Sequence, residues 1–468
     1  MPTVLMEDQF FGGLSSGEKR GIVGSFAAGR NLDYRTEPDR LSVATATAND
    51  SGVVVTDLIK WFQPTSGSEL FALGSTGQLY RRTGGAWSVF ESVGGAGQGM
   101  TIFNDYLWFA NATDLRRYGP LSDGPSSALF ATLTTDADWH PMVEYQNFIC
   151  IGAGRTLTTV NDAGTRVNQF SFPIGWRIKS LAVVGDYLAI GCMRGSAITD
   201  FEDGLLAYWD GNASTYLSPV WVKESGVNAF IADQNTLYVF AGTAGNVYAT
   251  GAMGRQLVKV KRIPGIVPSY AEVWPGAVSL WKGLIHAGIA GTTNSTTFSQ
   301  GVYTYGATDK NYAPSLNLEY TASTGTGTGT TLQIGAVRGV DPQNLYVGVR
   351  DGVTFRIDRV TGTTPFTTAT YTSRIYDASR PFERKLFSAF RVNFAPLGAG
   401  QSVAIAVAAD RAAAFTTLGT EATADTTTLR ASTNIKAYDI QVRLTLTAGA
   451  AAPRVLSFAV TYDFEPIV

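Results

Sequence analysis

The chain has 468 residues, with 51 Gly, 9 Trp, 20 Tyr and 25 Phe; 45% of it is hydrophobic and only 16% charged. Its 36 Lys+Arg nearly balance 38 Asp+Glu, so no bulk positive field draws in nucleic acid or an anionic membrane. Two His and two Cys leave little material for a metal centre or a Cys/His nucleophile, and the profile disfavours a disordered chain, a coiled coil and a disulfide-stapled mini-protein.

The opening segment MPTVLMEDQF carries Glu7 and Asp8 and no basic region ahead of an apolar stretch, which predicts no secretory signal. Residues 1–50, punctuated by Gly12-Gly13, Gly21, Gly24 and Gly29, read as an extended arm that packs on the next domain or on a neighbouring subunit. After it, helical periodicity is scarce, and short β-type runs bounded by Gly, Asn, Asp, Ser and Thr dominate. Apolar runs such as Leu181 to Ile190 are well below the ~18 residues of a membrane span.

One run recurs seven times: LFALG from Leu70, YLWFA from Tyr106, FICIG from Phe148, YLAIG from Tyr187, LYVFAG from Leu237, LIHAG from Leu284 and LYVG from Leu345. Their spacing is near the ~40–50-residue period of a propeller blade, with longer gaps for insertions. Aromatic strands follow several of them, as in GQLYRR from Gly77, GLLAYW from Gly204, GNVYATG from Gly245 and GVYTYG from Gly301. Each pair reads as a hairpin of apolar inner and aromatic outer strand. The prediction is an all-β chain: a β-propeller of about seven blades over 51–370. The Thr/Gly run Thr321 to Thr331 is read as a loop before the last blade. From about Tyr371 longer alternating runs appear, Phe387 to Phe394, Ser402 to Ala408, Ile435 to Thr447 and Val455 to Phe464. They predict a small antiparallel β-sandwich over 371–468.

The residues that could carry chemistry read better as structure. Asp105, Asp186, Asp210 and Asp351 stand at turns, where Asp bonds locally, and are not taken as acids or Ca²⁺ ligands. Asn161-Asp162-Ala163-Gly164 matches only the Asp and Gly of a sialidase Asp-box, and Trp209-Asp210 is a single Trp-Asp dipeptide without a Gly-His partner. His140 and His286 lack ligand spacing; Cys150 and Cys192 are expected as free buried thiols. No catalytic, cofactor or metal residue is assigned. Arg81-Arg82 and Arg116-Arg117 occupy corresponding positions in neighbouring repeats and could form a small basic rim.

The stretch Gln9 to Arg35, QFFGGLSSGEKRGIVGSFAAGRNLDYR, resembles structural proteins of tailed bacteriophages, in which Phe-x-Gly-Gly, Gly-Ser-Phe (Gly24-Ser25-Phe26) and Arg30-Asn31-Leu32-Asp33 precede a first blade. The segment TSRIYDASRPFERKLFSAFRVNF, Thr372 to Phe394, is similar to sandwich modules at the end of phage tail and tail-tip proteins. The resemblance implies a non-enzymatic virion component of the tail nozzle, hub or tail-tip type, located in the phage tail. Its implied partners are a homo-oligomeric ring, other tail proteins, and transient contact with packaged DNA or the host surface. Phe10, Phe11, Arg20, Phe26, Arg30, Arg81, Arg82, Arg116 and Arg117 are the candidates for contacts between subunits. The alternatives are a glycan-binding or glycan-degrading propeller, in which Trp87, Trp139 or Trp209 would stack on sugars, and an intracellular propeller scaffold.

Overall fold

Short apolar runs that end in Gly or Asp turns can only bury both faces by stacking sheet on sheet, and that is what the chain does. In a computed structural model, described over all residues except 1–2, 16–22, 38, 68, 122–126, 135–137, 162, 196–202, 264–271, 290–300, 308–310, 322–331 and 465–468, contacts divide it into two compact units. One unit comprises Ala48–Val302 and Ala322–Arg359; the other gathers Met1–Thr47, Tyr303–Thr321 and Val360–Val468. Among the described residues there is no α-helix, only a single 3₁₀ turn at Pro275–Ala277.

Seven four-stranded sheets follow one another in chain order. The first is built from Ile59–Pro64, Leu70–Gly74, Gln78–Thr83 and Ala86–Ser92; the second opens with Gly97–Phe103, the third with Met142–Tyr145, the fourth with Trp176–Val184, the fifth with Val227–Asp233 and the sixth with Val278–Trp281. The seventh runs Leu332–Asp341, Asn344–Asp351, Thr354–Pro365 and takes its outermost strand, Thr45–Asn49, from the other end of the chain. Each opening strand touches that of the next sheet, and Leu332–Asp341 touches Ile59–Pro64. The ring is therefore closed, a seven-bladed β-propeller.

The seven recurring runs are the second strands of their sheets, one place out from the centre. Reading them as the inner strands was off by one position, for a physical reason. A second strand is hydrogen-bonded on both edges and packed on both faces, so it is the most uniformly apolar; a first strand has one edge free. The small residue near its end answers to taper. A Cβ on Gly191 would collide with Ser180, Val227 and Phe230, and one on Gly348 would meet Ile59. The cores lie between sheets. Tyr80, Phe62 and Trp87 of the first sheet, for example, pack with Ala336, Tyr346 and Ile357 of the seventh.

Asp50 holds the junction of first and last sheets. Its buried carboxylate accepts from Arg82 at 2.8 Å and from the Trp87 indole at 2.9 Å and is ion-paired with Arg359 at 2.9 Å, while its backbone N–H donates to Ile357 at 2.8 Å.

The second unit is a β-sandwich. One sheet runs Thr3–Glu7, Val455–Phe464, Lys385–Phe394, Thr428–Ala437; the other runs Thr416–Glu421, Ser402–Ala409, Ile440–Thr447, Thr368–Tyr376, Ala28–Arg30. The expected arm, packed on the next domain or on a neighbouring subunit, instead supplies strands to this sandwich from its own chain. Thr3–Glu7 pairs in register with Val455–Phe464, Thr3 opposite Tyr462, and Ala28–Arg30 pairs with Thr370–Thr372. Phe10 and Phe26 stand 5.6 and 5.4 Å from Tyr371, and all three are fully buried. The predicted single run Ile435 to Thr447 is two strands, Thr428–Ala437 and Ile440–Thr447.

Two stability measurements check this arrangement. Asp50→Ala leaves two partly buried guanidinium groups uncompensated and is expected to destabilise the propeller by about 3–5 kcal/mol in denaturant unfolding. Phe26→Ala opens a core cavity in the sandwich and is expected to cost about 3–5 kcal/mol. A loss below about 1 kcal/mol for either variant contradicts the assigned role.

Candidate functional site

Each opening strand is hydrogen-bonded on one edge only, so seven free edges face the propeller axis. In five of them a bulge sits at the entry: at Lys60, Gln98, Lys179, Asn228 and Gly335 the register shifts by one residue. A bulge turns an extra side chain out of the alternation, and four of the five are polar, buried residues. Sequence periodicity gave no hint of this ring, because a bulged position breaks the period that reveals a strand.

At this end the side chains reach across the axis. Trp139, entering the third sheet, lies 5.3 Å from Trp274, entering the sixth; three places is the widest separation in a seven-membered ring. Trp61 of the first sheet lies 6.2 Å from Trp139. The Lys60 ammonium stands 3.6 Å from the Trp139 ring and 5.6 Å from Trp274, a cation–π arrangement. Lys179 forms a buried ion pair with Glu272. Together these groups plug the channel.

Beyond the plug the channel opens into a chamber of about 460 Å³. Counted from the bulges, Arg338, Gln63 and Thr101 stand at one level on the adjacent seventh, first and second sheets. The fourth and fifth sheets present Leu181, Ala182, Val183, Phe230, Ile231 and Ala232. The polar side chains at this level therefore come from the seventh, first and second sheets, beside Val337, Phe62, Met100 and Ile102, and none comes from the fourth and fifth. Glu144, exposed, marks the open end. Burial lowers the pKa of Arg338; its Nε is buried without a hydrogen-bond partner, as is the Trp61 indole nitrogen.

The residues singled out from sequence lie elsewhere. Phe10 and Phe26 are core residues of the sandwich and cannot make contacts between subunits, because no part of either ring reaches the surface. Phe11 packs on Tyr312 at 4.7 Å, Arg30 is half-buried in its strand, and Arg20 lies outside the described residues. Arg81 is paired with Glu69, Arg82 with Asp50, and Arg116 with Asp114 at 3.5 Å. Arg117 lies 4.6 Å from the Tyr106 ring. The basic pairs are thus compensated within their own sheets or at the ring junction, since they sit on third strands rather than on the rim. Trp87, Trp139 and Trp209 are buried and offer no surface for sugar stacking.

Cys150 and Cys192 are free and buried; burial pushes the Cys150 thiol up to about 12. His140 is buried between the carbonyls of Gly152 and Ala112, at 2.9 and 3.1 Å, and burial lowers its pKa. Asp210 accepts from the backbone of Asn212 and Ala213 at 2.9 and 2.7 Å, a local turn role. Among the described residues no cluster of His, Cys, Asp and Glu could hold a metal.

The plug generates two expectations. Burial lowers the Lys60 pKa to about 7, partly offset by Asp138 and Glu272. A lysine whose folded pKa lies below its unfolded value near 10.4 penalises folding while it is charged. Stability should therefore rise from about pH 6.5 to about pH 7.5, before thiols and tyrosines ionise in the unfolded chain. In Lys60→Met that rise should vanish in pH-dependent denaturation; an unchanged rise removes Lys60 as its source. Glu272→Gln strands the Lys179 charge and should cost about 3–5 kcal/mol, which a Lys179→Met/Glu272→Leu double variant restores.

No family model matches the chain, and no curated protein matches it in sequence. Among solved structures it is similar to the extracellular domain of the hybrid two-component system BT3049 from B. thetaiotaomicron, with 10% identity and a TM-score of 0.51 over 88% of this chain and 58% of that one. It also matches the extracellular domain of BT4673 from the same organism, with 13% identity and a TM-score of 0.49 over 76% of this chain. A third match is virginiamycin B lyase from Staphylococcus aureus, with 10% identity and a TM-score of 0.48 over 68% of this chain and 98% of that one. The chain spans 45% of the length of the BT4673 domain. The likeness to the BT3049 domain agrees with the fold read from the sheets, a β-propeller.

Proposed function

We propose that the protein is a non-enzymatic structural component of a tailed-bacteriophage virion, a tail nozzle, hub or tail-tip subunit that assembles into a ring with its own copies and with other tail proteins. The observation that carries this reading is the meeting of two distant segments. Gln9 to Arg35 resembles structural proteins of tailed bacteriophages and Thr372 to Phe394 resembles sandwich modules of phage tail and tail-tip proteins, and described residues of both meet in one sandwich. The Ala27 N–H donates to the Thr372 carbonyl at 3.0 Å, Phe26 packs on Tyr371, and the Tyr376 hydroxyl donates to Glu7 at 3.0 Å.

A lateral contact in an assembly needs a rigid, outward apolar group, and the sandwich has one. Phe382 is 92% exposed on a loop fixed from beneath by Lys385. The Lys385 ammonium donates to the carbonyls of Arg380, Glu383 and Tyr438 at 2.6, 2.8 and 2.7 Å. Passage of DNA is assigned to a lumen enclosed by several copies, because a plugged channel of this volume does not pass a duplex.

Mass spectrometry of purified virions should recover the chain at a fixed small-number multiple per particle; its absence from particles sinks the proposal. Phe382→Ser should leave the melting temperature unchanged and lower incorporation into particles at least about tenfold, the effect of losing a hot-spot aromatic.

A further inference from the structure

The polar groups of the axial chamber are unevenly distributed. Arg338 makes no ion pair or hydrogen bond with any described residue, although it is half-buried, its Nε fully so, and always charged. An uncompensated buried cation is costly and is relieved by an anion. A Trp61 indole donor without an acceptor lies on the adjacent sheet. Buried orphan donors of this kind call for an explanation, and here both belong to side chains that line one cavity. The size of the chamber falls within the range of small-molecule sites.

Four features narrow the ligand. Arg338 favours a carboxylate, which its planar fork can hold by two parallel bonds. Gln63 and Thr101, level with it on the next two sheets, add an amide and a hydroxyl. Around them the free edges of the opening strands present backbone N–H and C=O groups at the short, regular spacing of a strand, suited to a polyhydroxylated molecule. The facing wall of Leu181, Ala182, Phe230 and Ile231 suits the C–H face of a ring.

We infer that the axial chamber is a binding site for an acidic sugar unit, its carboxylate on Arg338, its hydroxyls on Gln63, Thr101 and the strand edges, and its apolar face toward the fourth and fifth sheets. The plug forms the floor, so the ligand enters and leaves at the Glu144 end. The Glu144 carboxylate at that rim disfavours a ligand seated with its own carboxylate outward, and so fixes the orientation. This assignment does not depend on the proposed role in assembly.

The full chain is titrated with sodium glucuronate, followed by calorimetry and by tryptophan fluorescence, with glucose and sodium acetate as comparison ligands. Saturable binding of glucuronate with a Kd near or below about 1 mM is expected, with glucose and acetate each at least about tenfold weaker. Arg338→Gln should lose glucuronate binding at least about tenfold while melting no lower than the unaltered chain, and Arg338→Lys should recover part of it. Absence of saturable glucuronate binding overturns the inference. So does equal binding of glucose or of acetate, or an Arg338→Gln variant that binds within about twofold of the unaltered chain.

Discussion

Closure is the constraint on which this protein depends. Seven tapered sheets bury their faces against one another only if the seventh also covers the first; without that joint two apolar faces meet water. Asp50 secures the joint, with one carboxylate shared by Arg82, Arg359 and the Trp87 indole. Because two guanidinium groups and one indole N–H converge on one buried carboxylate, loss of that carboxylate strands all three at once. The core of Phe62, Tyr80 and Tyr346 beneath it supplies the apolar burial.

Closure also dictates what the centre can be. Seven opening strands with their free edges inward make a narrow space lined by backbone polar groups, and bulges at the entry place Lys60 and Lys179 against groups of other sheets there. Large side chains then meet across the axis, Trp139 on Trp274 and Lys179 on Glu272. The result is a floor and a chamber rather than a through-channel. The uncompensated charge of Arg338 is the feature of that chamber that packing alone does not explain.

The sandwich follows a different logic. Its sheets are completed by Thr3–Glu7 and Ala28–Arg30 from the far end of the sequence, and the buried rings of Phe10, Phe26, Tyr34 and Tyr371 pack against one another. An N-terminal segment that adds edge strands protects those edges from pairing with other chains. The contact residues of an assembly must therefore be sought on fixed, exposed groups such as Phe382, not on the buried aromatics of the N-terminal motif.

The sequence by itself determined the class of fold and the number of blades, because a second strand buried on both faces must be apolar and must end in Gly or Ala where its neighbour closes in, and both properties are local. Leu70, Tyr106 and their five counterparts carry that signal in the order of the residues alone. The turn roles of Asp210 and the buried, free thiols were legible for the same reason. Only the tertiary structure decided which strand borders the axis and that Lys60, Trp139, Lys179 and Glu272 form one plug. The pairing of Arg81, Arg82 and Arg116, and the folding of Thr3–Glu7 and Ala28–Arg30 into a sandwich with residues beyond 360, were decided there too. Each of these joins positions tens to hundreds of residues apart, or rests on a bulge that erases periodicity, so its energy lies in contacts that no local pattern records.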